Sequence, residues 1–367
     1  MPTEVMMMIK SEQVYNVLYK EIINGNYNPG DKLPSENNLS VRFGVSRPTI
    51  ARALMKLQEM DIIYSKKGSG HFISLTGVNK LRYAILAPRM AQDDSRYILD
   101  ELFELLQKIA TSSRITLLRG RMYFKSEHFK NIIETIKLSV DEYVKENVQG
   151  IFYVPIEFIS ESELINKVIL EYIKKLNIQV ILLDRDYVAP PLTGDFDVIM
   201  MNNISAGYCM TKHLLRSGAK KIAFLMLKDS AMTITSRLYG FNIAVLETLF
   251  YANSSTIIKT EKISTETIDT LRLNNVNHVV CANDFTAKCL TEQWQIHNLK
   301  IPLYTVSFDN ASFSDDVSYS LTTWKHPLNE IAITAIALMN ERVSNPLTPA
   351  RVILLNGSIV KRKSCGL

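Results

Sequence analysis

From residue 81 onward the chain alternates between short, nearly continuous apolar runs and longer stretches whose apolar residues recur at three-and-four spacing. The runs are LRYAILAP, RITLLRG, GIFYVP, IQVILLDRD, KKIAFLML, HVVCAND and IPLYTVSFDN, and residues 95–112, 126–147 and 203–217 are amphipathic stretches between them. A strand that is apolar on both faces must be covered on both faces, so the alternation predicts α/β architecture, parallel sheets flanked by helices. Residues 81–367 exceed what one such sheet needs, which makes two similar lobes with a cleft between them the expected arrangement. Ligands of such sheets sit beyond the carboxyl ends of the strands. The residues directly after the runs are Arg89, Asp93, Asp94 and Arg96, then Asp184, Arg185 and Asp186, then Asn283 and Asp284, then Asp309 and Asn310. Carboxylates and guanidinium groups can clamp the vicinal hydroxyls of a sugar while an aromatic face covers its C–H side, and Tyr97, Tyr187, Phe285 and Trp324 are candidate platforms. The competing reading of each Asp or Asn is a cap on the helix that follows.

Residues 1–80 are built differently. In VSRPTIARALMKLQ (45–58) Ser46 is a good N-cap whose hydroxyl can accept from a backbone N–H, and Pro48 fits a first turn, so a helix is expected from about Ser46. Ile50, Ala53, Leu54 and Leu57 form its buried stripe; Pro48, Thr49, Arg52 and Lys56 fall on the opposite side. Ahead of it, Val14, Val17, Leu18, Ile22 and Ile23 mark a helix ended by Asn24, Gly25 and NPGD. LPSENNLSVRFGVS holds a short helix from Ser35, with Leu39 and Phe43 inward and Gly44 turning the chain. Ile62–Tyr64 and His71–Ile73 are expected strands around SKKGSG. Two helices across a glycine turn followed by a basic hairpin predict an N-terminal winged helix-turn-helix, a fold that places a helix in the DNA major groove. The formal charge of the whole chain is only +5, but six basic residues stand against two acidic ones from Arg42 to His71, a footprint suited to phosphates. Arg47 can offer a bidentate fork to guanine and Thr49 a hydroxyl or methyl contact. Arg52 and Lys56 reach along the groove, and Lys66 and Lys67 suit the DNA backbone.

The string YNPGDKLPSENNLSVRFGVSRPTIARALMKLQEMDIIYSKKGSGHFI resembles the winged-helix domain of GntR-type bacterial transcription regulators. On that resemblance Arg47 and Thr49 match recognition-helix contacts, and Lys67, Gly68 and Gly70 fall on the wing. With Ser35, Asn37, Ser46, Pro48, Arg52, Lys56 and Lys66 they make up the candidate DNA surface. Asn37 and Ala51 stand where arginines are common in that family. Further on, VILLDRDYV, MMNNISAGYCMTKHLLRSGAKKIAFLM, SRLYGFNIAV, VVCANDFTAKCL, IPLYTVSFDN, SLTTWKHP and VILLNGSIVKRKS resemble, in order and spacing, the periplasmic-binding-protein-like effector domain of LacI/GalR repressors. There Arg237 matches the arginine that fixes the effector, Asn283 a polar contact and Asp309 the carboxylate that takes sugar hydroxyls. His326 occupies a position often held by glutamine, Asn202 replaces an aspartate and Ala219 a histidine. The candidate effector set is Arg89, Asp94, Arg96, Tyr97, Asp184, Arg185, Arg237, Asn283, Asp309, Trp324 and His326.

A GntR head on a LacI-type body is the arrangement of regulators of the arabinose-repressor (AraR) type. The resemblance implies a DNA-binding domain at 8–75, a linker at 76–80 without a hinge helix, and a two-lobed effector-binding and dimerisation domain at 81–367. It implies a homodimer on operator DNA, released when a monosaccharide closes the cleft. A pentose or deoxyhexose such as arabinose or fucose is the expected effector; Arg89, Arg96 and Arg185 leave a phosphorylated sugar open, and a non-sugar effector is the other alternative. A ligand moves such a balance only through its differential affinity for the two states.

Other classes find little support. The four cysteines lack zinc-ligand spacing, which favours free thiols in a reducing cytoplasm. MPTEVMMMIK has no basic segment followed by a long apolar core, and no run of about eighteen apolar residues occurs, so neither an export signal nor a membrane span is expected. A G-x-S-x-G elbow and a glycine-rich phosphate loop are both missing. A pyridoxal-phosphate enzyme body, a sugar kinase and a transporter's binding protein are the weaker readings. No enzymatic activity, metal or cofactor is expected.

Overall fold

The computed structural model describes residues 2–23, 26–59, 62–74, 81–90, 96–120, 123–124, 129–157, 161–228, 230–248 and 255–366. Asn24, Gly25, Asp93, Asp94 and the 76–80 linker lie outside the described residues. The chain divides into two units, Met1–Leu81 with Ser112–Thr116 and Arg82–Thr111 with Leu117–Leu367.

The first unit holds α1 (Pro2–Ile23), α2 (Glu36–Phe43), α3 (Arg47–Glu59), β1 (Ile63–Lys66) and β2 (Gly70–Ile73). Ser35 caps α2 by accepting the Asn38 N–H at 3.2 Å. Gly44 ends α2 in the left-handed region, at φ 62°, with no atom within 4 Å of where a Cβ would stand. The backbone angle rather than space is what asks for glycine there. The α3 stripe packs Ile50, Leu54 and Leu57 against Val14, Leu18 and Ile22 of α1, Leu39 of α2, and Ile63 and Ile73 of the hairpin. Val17, expected in this core, is 41% exposed. β1 and β2 pair antiparallel from Ile63↔Ile73 to Lys66↔Gly70, and Gly68 and Gly70 take positive φ at the tip. The wing has a third strand-like edge that sequence reading did not foresee. Leu33 donates its N–H to the His71 carbonyl and Ile73 donates to the Asp31 carbonyl, both at 2.9 Å.

The second unit runs β3 (Arg82–Leu86), β4 (Arg89–Met90), α4 (Arg96–Ser112), β5 (Thr116–Arg119), β6 (Tyr123–Phe124), α5 (Phe129–Lys145), β7 (Gly150–Tyr153), α6 (Ser162–Lys175), β8 (Gln179–Leu183) and β9 (Asp197–Met201). It continues through α7 (Asn203–Leu215), β10 (Ile222–Leu227), α8 (Met232–Glu247), β11 (Ser255–Thr260), α9 (Thr265–Leu273), β12 (His278–Cys281), α10 (Asp284–Ile296), β13 (Tyr304–Phe308), β14 (Thr322–Lys325), α11 (Leu328–Ser344), β15 (Val352–Leu355) and β16 (Ser358–Val360). Two six-stranded sheets result, in the orders β15-β9-β8-β7-β3-β5 and β11-β10-β12-β13-β14-β16. Their described pairings are parallel, except that β16 runs antiparallel to β14. The expected two α/β lobes are thus present, and all seven apolar runs are strands. The chain passes between the lobes three times: from β9 to α7, from β14 to α11 and from β15 to β16.

One helix crossing positions the second lobe's polar residues. A Cβ built on Gly207 of α7 would overlap the Arg237 carbonyl of α8, and one on Gly240 of α8 would overlap the Ile204 carbonyl of α7. The two backbones therefore touch, which sets Asn203 at the start of α7 beside Arg237. Replacing Gly207 with valine is expected to force the helices apart and cost about 1–3 kcal/mol or more in urea unfolding, since the clash is with backbone; an unchanged midpoint would show that this contact is slack. Among the described residues, no helix is long and apolar enough to cross a membrane.

Candidate functional site

In the second lobe four elements deliver side chains to one place. Arg237 on α8 is 4% exposed. Its Nε donates to Asn203 Oδ1 at 2.9 Å, its Nη1 to the Ala282 carbonyl at 2.7 Å, and its Nη2 lies 3.2 Å from Asp309 Oδ1. The guanidinium stands 4.7 Å over the Phe308 ring. His326 Nε2 approaches the same Asp309 oxygen at 3.1 Å, and because a carboxylate only accepts, that nitrogen carries the proton. Both donors converge on Oδ1, so among the described residues Oδ2 is the acceptor left for a ligand hydroxyl. Asp309 follows β13 and His326 follows β14, the carboxyl-end positions expected of a ligand site.

Burial works against ionisation of Asp309, but the Arg237 charge and the His326 hydrogen bond outweigh it and hold the carboxyl below its ordinary value. A carboxyl with a depressed folded pKa contributes stability that is fully present above its unfolded pKa, about 3.9, and is lost as the pH falls through the folded value. The stability gap between the wild type and Asp309→Asn should therefore narrow as the pH drops below about 4. A gap that stays constant from neutral pH into that range would contradict the pairing.

In the first lobe Arg185 Nη2 lies 2.7 Å from Asp184 Oδ2 and its Nη1 pairs with Glu157. Glu157 was not foreseen, although it follows β7 as the strand-end rule requires. Its Oε1 accepts the Met232 N–H at the start of α8, at 3.0 Å. The carboxyl ends of the two sheets therefore face each other, with α8 as the shared element. Arg185, expected to be a clamp for a hydroxyl or a phosphate, is instead buried and neutralised by two carboxylates. Asp184 and Asp309, which directly follow β8 and β13, have φ of 71° and 109°, a strained setting for a residue other than glycine that recurs where structures bind ligands.

Other expected residues have different work. Asn283 caps α10, accepting the Thr286 N–H at 2.8 Å, so its carbonyl oxygen takes the capping role. Trp324 is 5% exposed within the second lobe's core, not an open platform. Asp284 is fully buried and accepts from Ser307 at 2.5 Å, Thr323 at 2.7 Å, the Ala311 N–H at 2.8 Å and Ser314. Burial pushes its carboxyl up, with Asp309 adding to that and the three hydroxyls opposing. Asp186 accepts the Tyr187 and Gly194 N–H groups and so anchors its own loop. Tyr187 packs edge-on against Phe196, while Phe285 is exposed. Arg89 lies on β4, and Arg96 and Tyr97 open α4; their side chains, and Asp94 entirely, lie outside the described residues.

In the head, Ser35, Asn37, Ser46, Arg47, Pro48, Arg52, Lys66, Lys67, Gly68 and Gly70 are exposed. Thr49 is 2% exposed, and the Ser46 hydroxyl meets its hydroxyl at 2.8 Å. Thr49 thus belongs to the start of the helix rather than to its outer face; its N–H donates to the Ser46 carbonyl at 3.0 Å, and the Ser46 hydroxyl, expected to accept from a backbone N–H, meets the Thr49 hydroxyl instead. Lys56 is also turned away: its Nζ pairs with Glu12 of α1 at 2.6 Å and lies 4.2 Å over the Tyr15 ring. The four cysteines are free thiols.

Residues 10–73 match the GntR family of bacterial regulatory proteins, and residues 211–365 match the periplasmic binding protein-like domain. The chain joins a GntR-type head to a periplasmic-binding-protein-like body and is a transcription regulator rather than an enzyme. It is 24% identical to an arabinose metabolism transcriptional repressor of Geobacillus stearothermophilus, over 88% of each chain, and 25% identical to one of Halalkalibacterium halodurans, over 91% of this chain and 89% of that one. Its fold also matches a LacI family regulator from Enterococcus faecium with bound ribose, at a TM-score of 0.57 and 18% identity, over 77% of this chain and 98% of the other.

Proposed function

We propose that this regulator is a sugar-responsive repressor that holds operator DNA through its winged helix and lets go when a monosaccharide binds between the lobes of its body. The observation that carries the reading is the Arg237–Asp309–His326 cluster, a carboxylate held ionised at the carboxyl ends of a parallel sheet, its Oδ2 left for a ligand among the described residues. The names of the two arabinose repressors support the regulatory sense, and the ribose-bound neighbour supports a sugar in this fold. A pentose or deoxyhexose such as arabinose or fucose is the proposed effector, the protein acts in the cytoplasm, and a homodimer presents two heads to a pseudo-palindromic operator. The boundaries 8–75, 76–80 and 81–367 remain the proposed division of labour. Because Glu157 in one lobe accepts from the first residue of the helix bearing Arg237, a ligand that engages Arg237 also acts on the contact between lobes.

Gel-shift titration of duplexes from the gene's own upstream region, with and without a panel of monosaccharides and sugar phosphates, tests the reading. One sugar should lower DNA affinity and raise the melting temperature of the full chain. If no sugar or sugar phosphate does either, the effector assignment is lost.

A further inference from the structure

The buried residues Ile50, Ala53, Leu54 and Leu57 define the inward direction of α3. At 100° per residue, the direction opposite them falls among Pro48, Met55, Arg52 and Glu59. Met55 is 57% exposed; Arg47, Pro48 and Arg52 beside it are exposed and Ala51 is half-buried. Lys56, which could have extended the cationic surface, is held by Glu12. The outward face of this helix therefore carries Ala51 and Met55 between Arg47 and Arg52, with Pro48 in the first turn and Glu59 one turn beyond Met55. A single exposed apolar side chain is ordinary on a protein surface. This one lies on the face that a helix-turn-helix presents to DNA, where the apolar feature on offer is the 5-methyl group of thymine.

We propose that Met55, with Ala51 beside it, is a specificity-determining contact that packs on a thymine methyl group in the major groove. The inference rests on the reading of the head as a binder of duplex DNA. Arg47 supplies the adjoining polar readout, a fork to guanine, and Arg52 adds positive charge on the other flank. Met55 stands eight positions, about 12 Å of helix axis, beyond Arg47, so the thymine it meets belongs to a different base pair from the one read by Arg47.

The test selects binding sites from a random duplex library with the full-length wild type, then replaces each thymine of the selected half-site in turn by deoxyuridine, which removes only the methyl group. Wild type should bind one such duplex about fourfold more weakly, the worth of one buried methyl group. Met55→Gln, which keeps the length and helix propensity of the side chain, should show no difference at that position while its circular dichroism and salt dependence stay unchanged. Arg47→Ala should lose a guanine preference at another base pair and keep the methyl sensitivity. The proposal is overturned if no thymine distinguishes wild type from Met55→Gln. It is equally overturned if the substitution changes self-association and leaves the methyl effect intact, which would make a second copy of the chain the occupant of this face. Failure of the wild type to enrich any duplex would bring down the DNA-binding reading itself and this inference with it.

Discussion

Arg237→Ala is expected to destabilise the body by about 3–5 kcal/mol and to abolish the response to sugar. Arg237 and Asp309 are both largely buried, and removing the cation leaves an ionised carboxylate whose other partner among the described residues is His326, the situation in which breaking a buried pair costs most. The substitution also frees Asn203 Oδ1 and the Ala282 carbonyl, each of which loses a charged donor. The double variant Arg237→Ala/Asp309→Asn should recover part of the stability because the stranded charge is gone, but none of the sugar-induced rise in melting temperature. Urea unfolding and thermal shift separate these outcomes. A single variant as stable as wild type that still responds to sugar would remove Arg237 from the site.

The second large effect concerns the head. Arg47→Ala should weaken binding to a selected operator by about one to two orders of magnitude, corresponding to about 1–3 kcal/mol for a bidentate base contact, and relax preference at one base pair. Lys67→Ala at the hairpin tip should weaken binding to all sequences alike and reduce the slope of log affinity against log salt by about 0.9, one phosphate's share. Fluorescence anisotropy across a salt series resolves the two patterns. Equal behaviour of the two variants would show that Arg47 contacts phosphate and reads no base.

Legibility in the sequence followed the physics of burial. Strands covered on both faces, such as IAFLML and HVVC, are apolar throughout and were read directly. β14 escaped notice because its TTWK hides polar residues: Thr322 and Thr323 are fully buried, and Thr322 accepts and donates within the β14–C-terminal contact. β15 and β16 escaped because they are edge strands with half-exposed side chains. The cluster of Arg237, Asp309 and His326 was reached through strand ends and resemblance, since no local spacing links residues so far apart in the chain. Asn203 stood one place after the Asn202 that drew attention, and Glu157 obeyed a rule already in hand. Thr49 and Lys56 were misplaced for a different reason. Helical phase puts them at the margins of the outer face, and at a margin a neighbour such as Glu12 decides which way a side chain turns.

The first lobe is finished by residues that follow most of the second lobe in the chain. Its sheet lacks an edge until β15 arrives, and α11, which packs on β7, β8 and β9, is assembled from residues 328–344. On the ribosome the amino-terminal lobe must therefore wait, open along one side, until the other lobe has been synthesised almost in full, a long loop to close before its non-local pairing forms. A premature stop before Val352 would cripple the lobe that was translated first.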